Sequence, residues 1–428
     1  MEIYFDRILQ NMSKKAGSMD LKQLEQIFVD TAYIRTGGSK EELKCAEYLQ
    51  AKCKELGMEA TLESFEVEMA DIQKAVLKVN GVEIPCTGYL CAGNGNVEAP
   101  IYYLPGDDKY SISQCKGKIV LIDGLMGHWK YQDLYEAGMV GFITYTGNAN
   151  YADEEIDVKE LRNMVSLGKK VPGVNINAKE AIKIIENNGG IASIELVQDE
   201  YKGESHNVVV DLPGETDEYI VLTAHYDSTA LSQGAYDNMS GSVGIMAIAE
   251  HFSKNPHRYG IRTVWCGSEE RGLLGSKAYV KDHKEELNKI VFNVNLDMIG
   301  CTMGKFIACC TTEEKLVSFV DYLANIEGFP VAVKQDVYSS DSTPFADKGI
   351  PAISFARIAP QNTATIHNSY DTMKVMKMEH MEKDIAFITS FAEIMANAKR
   401  LPVEREMPEN MKEKLDIYLL RKRDDKKK

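Results

Sequence analysis

Residues 261–276, "IRTVWCGSEERGLLGS", contain the transition that predicts the fold of this chain. Their first six residues form a short apolar run of the kind that indicates a buried strand, and their last residues begin a helix. Glu269 and Glu270 stand between the two elements. Acidic residues are mostly exposed, so a solvated loop is the ordinary interpretation of such a pair. The alternative is that the two carboxylates do different work, one binding a metal ion and one moving a proton.

The same pattern of a strand followed by polar residues recurs through the second half of the chain. The apolar runs are separated by helical segments in most places and comprise "HNVVVDLPG", "YIVLTAHYD", "IVFNVNLDM", "FIACC" and "PAISF". Strands that are apolar almost throughout suit a sheet whose two faces are both covered. We therefore predict an α/β fold, with three layers (αβα) and a mixed, mostly parallel sheet.

The first half of the chain predicts an interruption of that fold. A helix is expected over residues 39–57, with Ser39 and Glu42 as a capping box and Gly57 as the stop. From about residue 75, short β-like runs separated by Gly and Asp turns indicate a β-rich insertion. The predicted divisions are residues 1–74 and 203–400 for the α/β domain, 75–202 for the insertion and 401–428 for a C-terminal tail. Within that tail, "MPENMKEKLDIYLLRKR" is either a docking helix or a disordered end.

Composition excludes several classes of protein. The 428 residues carry a net charge of −15, which leaves no broad basic surface for nucleic acid or an anionic membrane. No run of 18 apolar residues predicts a membrane span, and the first residues lack the layout of a signal peptide. The nine cysteines are then expected to be reduced thiols in the cytoplasm. The sequence does not predict an oligomeric state.

Polar residues at the strand ends carry the prediction of chemistry. The carboxyl ends of strands in an open α/β sheet form the usual ligand site, so residues far apart in sequence are expected to converge there. Besides the two glutamates, the residues concerned are His225, Asp227, Asp237, Asp297 and His367. Any one of them alone is more often structural. Two histidines and three acids together, without a thiolate, are the ligands that one or two zinc ions require, and a carboxylate can bridge two ions.

Six motifs give the chain a resemblance to a known family. In order and spacing, "TAHYDS", "GAYDNMSG", "GSEERGLLGS", "NLDMIG", "SDSTPF" and "IHNSYDT" resemble the co-catalytic di-zinc aminopeptidases, a family that includes aminopeptidase Y, glutamate carboxypeptidase II and the non-catalytic transferrin receptor. The resemblance covers roughly residues 35–75 and 204–398 and implies a zinc-exopeptidase domain. The insertion also resembles a protease-associated domain, through "CKGKIVLIDG", "AGMVGFITYTG" and "VPGVNIN".

The resemblance implies a role for each candidate residue. His225 and Asp297 would bind the first of two zinc ions, Glu270 and His367 would bind the second, and Asp237 would bridge them. Asp227 would orient the His225 ring, because metal-bound histidines usually need such a partner. Glu269 would be the general base for a water that bridges the metals. The resemblance also implies a cis peptide bond between Asp237 and Asn238.

Two positions depart from the family pattern and affect the substrate pocket. Ile366 stands where some members have a tyrosine that stabilises the tetrahedral intermediate, and Tyr338 is a candidate substitute. Ser342, in the pocket-shaping loop "SDSTPF", stands where many members have histidine. The candidate substrate residues are Tyr338, Asp341 and Arg357.

Several functions remain open from the sequence. We predict a hydrolase, a zinc-dependent aminopeptidase that removes N-terminal residues from peptide substrates and binds two Zn²⁺ per chain. A carboxypeptidase or dipeptidase is the main alternative, and it would favour an arginine, best placed at Arg357, for the substrate carboxylate. A glutaminyl-cyclase-like acyltransferase uses a single zinc, and receptor-like members have lost ligands that this chain retains. The preferred side chain and the native metal are not predicted.

Overall fold

The structure is a computed structural model that describes residues 19–124, 126–150 and 155–424. Its strands are β1 Ala60–Val79, β2 Val82–Ile84, β3 Cys86–Gly88, β4 Gly95–Tyr103, β5 Ile119–Ile122, β6 Gly141–Thr146, β7 Gly173–Asn177, β8 Ile191–Leu212, β9 Tyr219–His225, β10 Gly260–Cys266, β11 Ile290–Leu296, β12 Lys305–Thr311, β13 Ala332–Gln335 and β14 Ala352–Ile358. Its α-helices are α1 Leu21–Asp30, α2 Lys40–Glu55, α3 Lys109–Ser113, α4 His128–Glu136, α5 Asn163–Ser166, α6 Ala178–Glu186, α7 Ser240–Lys254, α8 Leu274–Asp282, α9 Lys315–Glu327, α10 Ser342–Asp347, α11 Met378–Asn397 and α12 Glu409–Tyr418. Single turns of other helix types lie at Ala235–Met239, Leu287–Lys289 and Met373–Val375. Among the helices of these residues, none combines the length and the apolar character needed to cross a membrane.

The described chain divides into two compact units. The first unit contains the described residues up to Glu66 together with Glu204–Lys422. The second unit contains Val67–Gly203 together with residues 423–424. In the first unit the strand order is β13-β12-β14-β11-β9-β10-β8. Neighbours pair in parallel except β12 with β14 and β10 with β8. The prediction of an α/β fold with a mixed, mostly parallel sheet is therefore confirmed.

Alternating side chains of the central strands enter two separate cores. Ile220, Leu222 and Ala224 of β9 pack in the larger core, whereas Val221 packs in a smaller one. The larger core includes side chains of α1, α2, α7, α9 and α11, and the smaller one includes Tyr279 and Val280 of α8. All seven residues of β10 are buried. The strands are largely apolar because both faces of the sheet are covered.

In the second unit the strand order is β8-β4-β5-β6-β7-β3, where the first part of β8 pairs antiparallel with β4. Strands β4 to β7 run parallel, and β3 is antiparallel to β7. One core forms around Phe142, with Tyr131 and Leu134 of α4, and another around Ile143 and Ile184. This unit can therefore bury apolar side chains of its own on both faces of its sheet.

The observed division differs from the predicted one at the start of the insertion. The predicted boundary between residues 74 and 75 lies inside β1, and the observed division at Glu66 and Val67 lies inside the same strand. Ala60–Val79 contains no glycine, proline or asparagine to interrupt an extended chain, so the change in sequence character at residue 75 does not mark a break.

Of the two alternatives for the C-terminal tail, the described part of the tail shows the docking helix. Met411 and Leu415 of α12 are buried, and they form a small core with Ala346 and Ala352. Arg421 adds an ion pair to Asp347, at the end of α10. Residues 409–418 therefore belong to the packed first unit.

The predicted capping box at the start of α2 is only half formed. Ser39 caps the helix by accepting a hydrogen bond from the Glu42 backbone N–H, at 3.1 Å. The Glu42 carboxylate does not return this bond to Ser39; it accepts from Gly38 and from Ser268 instead. The reason is that Glu42 is buried, facing residues that are distant in sequence.

Candidate metal centre

The parallel strands β9, β10 and β11 deliver polar residues to one edge of the sheet. His225 is the last residue of β9, Glu269 and Glu270 follow β10, and Asp297 follows β11. These strands lie side by side, with Cys266 in register with His225. The residues that end them therefore have to lie close together, as the strand-end pattern predicts.

Two groups of candidate ligands meet at a shared carboxylate. In the first group, His225 Nε2 is 3.1 Å from Asp237 Oδ1 and 3.8 Å from Asp297 Oδ1. In the second, His367 Nε2 is 3.1 Å from Asp237 Oδ2 and 3.1 Å from Glu270 Oε1. Within each group the ligand atoms lie within 4.8 Å of one another. Asp237 thus presents one oxygen to each group, the arrangement that a bridging ligand requires.

Asp237 reaches this position through the turn Ala235–Met239, which precedes α7. The peptide bond between Asp237 and Asn238 is cis, as the resemblance implied. The Asn238 side chain fixes the turn to the segment after β11: its amide donates to Leu296 O at 2.9 Å, and its oxygen accepts from Met298 N at 3.0 Å. The bridging candidate and Asp297 are therefore held in one hydrogen-bonded frame.

The donor set fits divalent cations of the zinc type. Imidazole nitrogen and carboxylate oxygen are common zinc ligands, and neither ligand group contains a thiolate. Asp237 and Asp297 are buried, and the side chains of Glu269 and Glu270 are only 13% and 9% exposed. Burying several carboxylates together is costly unless cations compensate them. Two divalent ions would supply that compensation.

The buried carboxylates raise the pKa values of the two histidines in the site. Burial alone would lower the pKa of His225, but the carboxylates of Glu269, Asp227 and Asp237 raise it well above its usual range. Burial also opposes the charged form of His367, yet its contacts with Asp237 and Glu270 raise its pKa to about 11. Without metal, both rings therefore hold the protons that cations would displace.

Asp227 supports the Glu269–Glu270 pair as well as the His225 ring. It is fully buried, with Oδ1 at 3.3 Å from His225 Nδ1. Oδ1 also accepts the backbone N–H of Glu269 at 3.0 Å, and Oδ2 accepts that of Glu270 at 3.1 Å. Sequence reasoning predicted the contact with the ring and missed the two backbone contacts. One carboxylate thus orients three candidate site residues.

Asp371 is a further site residue that sequence reasoning missed. It is buried, and its two oxygens accept the backbone N–H groups of Tyr236 at 2.7 Å and Asp237 at 3.1 Å. Burial raises its pKa to about 6, although these two hydrogen bonds oppose the rise. An acid four residues after His367, inside the motif "IHNSYDT", was the available signal.

Tyr338 and Asp341 lie within the electrostatic field of the site. Burial raises the pKa of Tyr338, and the Asp297 carboxylate adds to this rise. Burial raises the pKa of Asp341 to about 7, with His225 offsetting part of the effect. Asp341 is only 1% exposed. Its role toward substrate therefore stays a prediction.

Arg357 is engaged by a buried partner. Its Nε donates to Asp384 Oδ2 at 2.8 Å, Nη2 contacts the other oxygen, and Nη1 donates to Gly304 O at 3.0 Å. Asp384 is completely buried, so this bidentate pair already neutralises the guanidinium. The residue best placed to read a substrate carboxylate is thus committed to a structural contact.

Comparison with known proteins finds a family model that matches the part of the chain that contains these candidate ligands. Residues 207–391 match Peptidase family M28. The family model matches only this segment of the chain. All of the candidate metal ligands lie inside it.

Individual proteins to which the chain is similar carry aminopeptidase names. The chain is 26% identical to aminopeptidase YwaD of Bacillus subtilis (strain 168) over 372 residues, which cover 82% of this chain and 77% of that one. It is 36% identical to leucine aminopeptidase 2 of Trichophyton rubrum over 145 residues, 34% of this chain and 26% of that one. The structure of BSAP, a zinc aminopeptidase from Bacillus subtilis, has the same fold, with a TM-score of 0.74 at 22% identity over 93% of this chain and 98% of that one. The predicted enzyme class, a zinc-dependent aminopeptidase, is confirmed by these likenesses.

Proposed function

We propose that the chain is a two-zinc aminopeptidase that hydrolyses the N-terminal peptide bond of peptides. The observation that carries the proposal is the shared position of Asp237, with Oδ1 in one ligand group and Oδ2 in the other. Five candidate ligands arranged around one shared acid exceed what a single tetrahedral zinc needs. The same observation disfavours a single-zinc acyltransferase and a receptor-like protein without ligands.

In this proposal His225, Asp237 and Asp297 would hold one ion, and Asp237, Glu270 and His367 would hold the other. When bound, the two ions would polarise the scissile carbonyl and lower the pKa of an attacking water. The Asp227 carboxylate keeps the His225 ring in the orientation in which Nε2 faces the ligand group.

Glu269 is the proposed general base. Its Oε2 lies 3.9 Å from His225 Nε2, beside the first ligand group and outside both. Burial raises the pKa of Glu269 well above its usual range, and the neighbouring His225 opposes that rise. A carboxylate in this position can accept a proton at Oε2 and return it to the leaving amine.

Cleavage at the free N-terminus is favoured over cleavage at the C-terminus. The site is rich in carboxylates, which suits a substrate ammonium, whereas Arg357 is paired with Asp384. Two bound ions would offset much of this acidity, so the argument depends on Arg357 as much as on the acids. A carboxypeptidase would need another cation for the substrate carboxylate.

A matched set of four substrates tests this polarity. An aminoacyl-p-nitroanilide is compared with its N-acetyl form, and a dipeptide with its C-terminal amide. We expect cleavage to be lost on N-acetylation and retained on amidation, because only the free amine is required. The reverse pattern would establish a carboxypeptidase and refute the proposal.

Two further assignments belong to the proposal. The unit Val67–Gly203 is taken as a protease-associated domain, which its own apolar cores and its place in the sequence between two parts of the peptidase unit support. A cytoplasmic location is supported by nine cysteines that are all free thiols. The wider relation to glutamate carboxypeptidase II and the transferrin receptor stays a prediction.

A further inference from the structure

We propose that the segment from Arg35 to Glu42 is a working part of the metal centre, although it lies outside the matched residues 207–391. Glu42 is the positioning residue for the turn that carries Glu269 and Glu270. Arg35 is the positioning residue for the loops that carry Asp227 and Asp237. This inference rests on the proposed function, and its test includes a measurement that does not depend on hydrolysis.

Glu42 connects α2 to the residue that precedes the two glutamates. Its Oε1 accepts hydrogen bonds from the backbone N–H of Ser268 at 2.7 Å, from Ser268 Oγ at 3.2 Å and from Ser205 Oγ at 2.9 Å. Its Oε2 accepts from Gly38 N at 2.6 Å. Ser268 has φ of 52°, a backbone conformation that residues with side chains rarely adopt. The buried carboxylate therefore stabilises the conformation from which Glu269 and Glu270 leave β10.

The packing around this contact leaves little room for the turn to move. A Cβ atom placed on Gly37 would lie 2.4 Å from Ser268 Oγ, and one placed on Gly267 would lie 2.9 Å from Glu42 Oε1. Arg271, on the other side of the glutamates, donates to Gly37 O at 3.3 Å. Glycines on both sides of the contact thus let the N-terminal segment pack directly on the turn.

Arg35 brackets Asp227 from both sides. Its side chain is fully buried, and Nε donates to Tyr226 O, the residue before Asp227. Its backbone exchanges two hydrogen bonds with Ser228, the residue after it: Arg35 N donates to Ser228 Oγ at 3.1 Å, and Ser228 N donates to Arg35 O at 3.2 Å. The carboxylate that supports His225 and both glutamates is therefore anchored at each neighbour.

The same guanidinium reaches the turn that carries Asp237. Nη2 donates to Gly234 O at 2.8 Å, and Nη1 contacts Gln233 O. Gly234 has φ of +55°, and a Cβ there would lie 2.5 Å from Asp237 O, so the chain folds tightly back on the bridging candidate. The planar guanidinium thereby donates to carbonyls at both ends of the segment 226–234, in a fixed fork geometry that the flexible ammonium of a lysine does not provide.

The experiment uses the full chain, with Glu42→Gln and Arg35→Lys as test variants. The matched controls are Glu41→Gln and Arg400→Lys, which change exposed residues of the same types. Three quantities are measured: kcat and KM of the zinc-loaded protein on an aminoacyl-p-nitroanilide, the dissociation constant for zinc by competition with a chromophoric chelator, and Tm with and without zinc.

We expect Glu42→Gln to lower kcat by about 10-fold or more and to change KM by less than about twofold. The glutamine amide would present an N–H donor to the N–H of Gly38, which displaces the turn that carries the proposed base Glu269 and leaves the binding of substrate unchanged. Arg35→Lys is expected to weaken zinc binding by about 10- to 100-fold and to reduce the rise in Tm that zinc produces. Both controls should match the parent protein.

The outcomes separate this inference from the proposed function. If both variants keep kcat and zinc affinity while Tm of the zinc-free protein falls, the segment is only structural and the inference is wrong. If the parent protein cleaves no aminoacyl substrate, the proposed function fails, and the zinc affinity of Arg35→Lys still decides the inference. If Glu42→Gln does not fold, Ser205→Ala removes one hydrogen bond from the same carboxylate; a smaller fall in kcat would support the inference, and an unchanged kcat would overturn it.

Discussion

Replacing Asp227 with asparagine should disable the site without removing any proposed metal ligand. Asp227 accepts a backbone N–H with each oxygen, from Glu269 at 3.0 Å and from Glu270 at 3.1 Å. Asparagine has a single carbonyl oxygen, so its amide group would face one of the two N–H donors. The variant keeps the size of the side chain and changes only its ability to accept.

The size of the effect follows from the hydrogen bond that is lost. A hydrogen bond to a charged group contributes about 1.5–3 kcal/mol. Because about 1.4 kcal/mol corresponds to a factor of ten, a rate or an affinity that depends on this geometry should fall by about 10- to 100-fold. The loss should appear both in kcat and in zinc affinity, since Asp227 also lies 3.3 Å from His225 Nδ1.

The assay compares Asp227→Asn with Asp282→Asn, which alters an exposed aspartate at the end of α8. Zinc affinity is measured by chelator competition, and kcat is measured at saturating zinc. Circular dichroism with a thermal melt verifies that both variants are folded. Zinc affinity and kcat within about threefold of the parent protein would refute the role that we assign to this carboxylate.

Three further predictions address the base, the protons and the C-terminal helix. Glu269→Gln should lower kcat by about 10²- to 10⁴-fold with zinc retained, whereas Glu270→Gln should lose zinc affinity; equal zinc loss in both variants would contradict their different roles. Because the pKa values of His225 and His367 are both raised and zinc binds the neutral ring, zinc binding should release about two protons and its apparent affinity should rise with pH. Calorimetry in buffers of different ionisation enthalpy measures this release, and an affinity that is constant between about pH 6 and 8 would be inconsistent with it. Leu415→Ala should lower the free energy of unfolding by about 2–5 kcal/mol, because Leu415 is only 3% exposed in its core; a loss below about 0.5 kcal/mol in denaturant unfolding would show that α12 is not docked.

The fold was predictable because strand burial leaves a direct trace in the sequence. β10 is buried at every position, which makes "IRTVWC" apolar apart from one arginine and one threonine. That arginine, Arg262, pairs with Asp211 on the neighbouring strand β8. The polar residues that follow such strands are visible as a set, because a single carboxylate or histidine after an apolar run is more often structural.

The residues that support the site from a distance were not predictable. Glu42 follows Ser39 at the spacing of a capping box, and nothing local distinguishes that role from a contact with Ser268, 226 positions away. Arg35 donates its hydrogen bonds to backbone carbonyls. Because every residue has such a carbonyl, the type of the accepting residue gives no signal in the sequence. The start of the insertion leaves no local signal for a related reason, since a strand that continues from one unit into the next contains no turn residues.

The residues of this site are far apart in sequence. This separation determines at what stage of synthesis the site can form. His225 and His367 come from opposite ends of the matched segment, and Glu42 must meet Ser268 across 226 positions. A chain still on the ribosome therefore has no complete set of ligands until His367 has been synthesised and the strands have paired. Each chain therefore lacks the proposed hydrolytic activity until most of its sequence has been synthesised and folded.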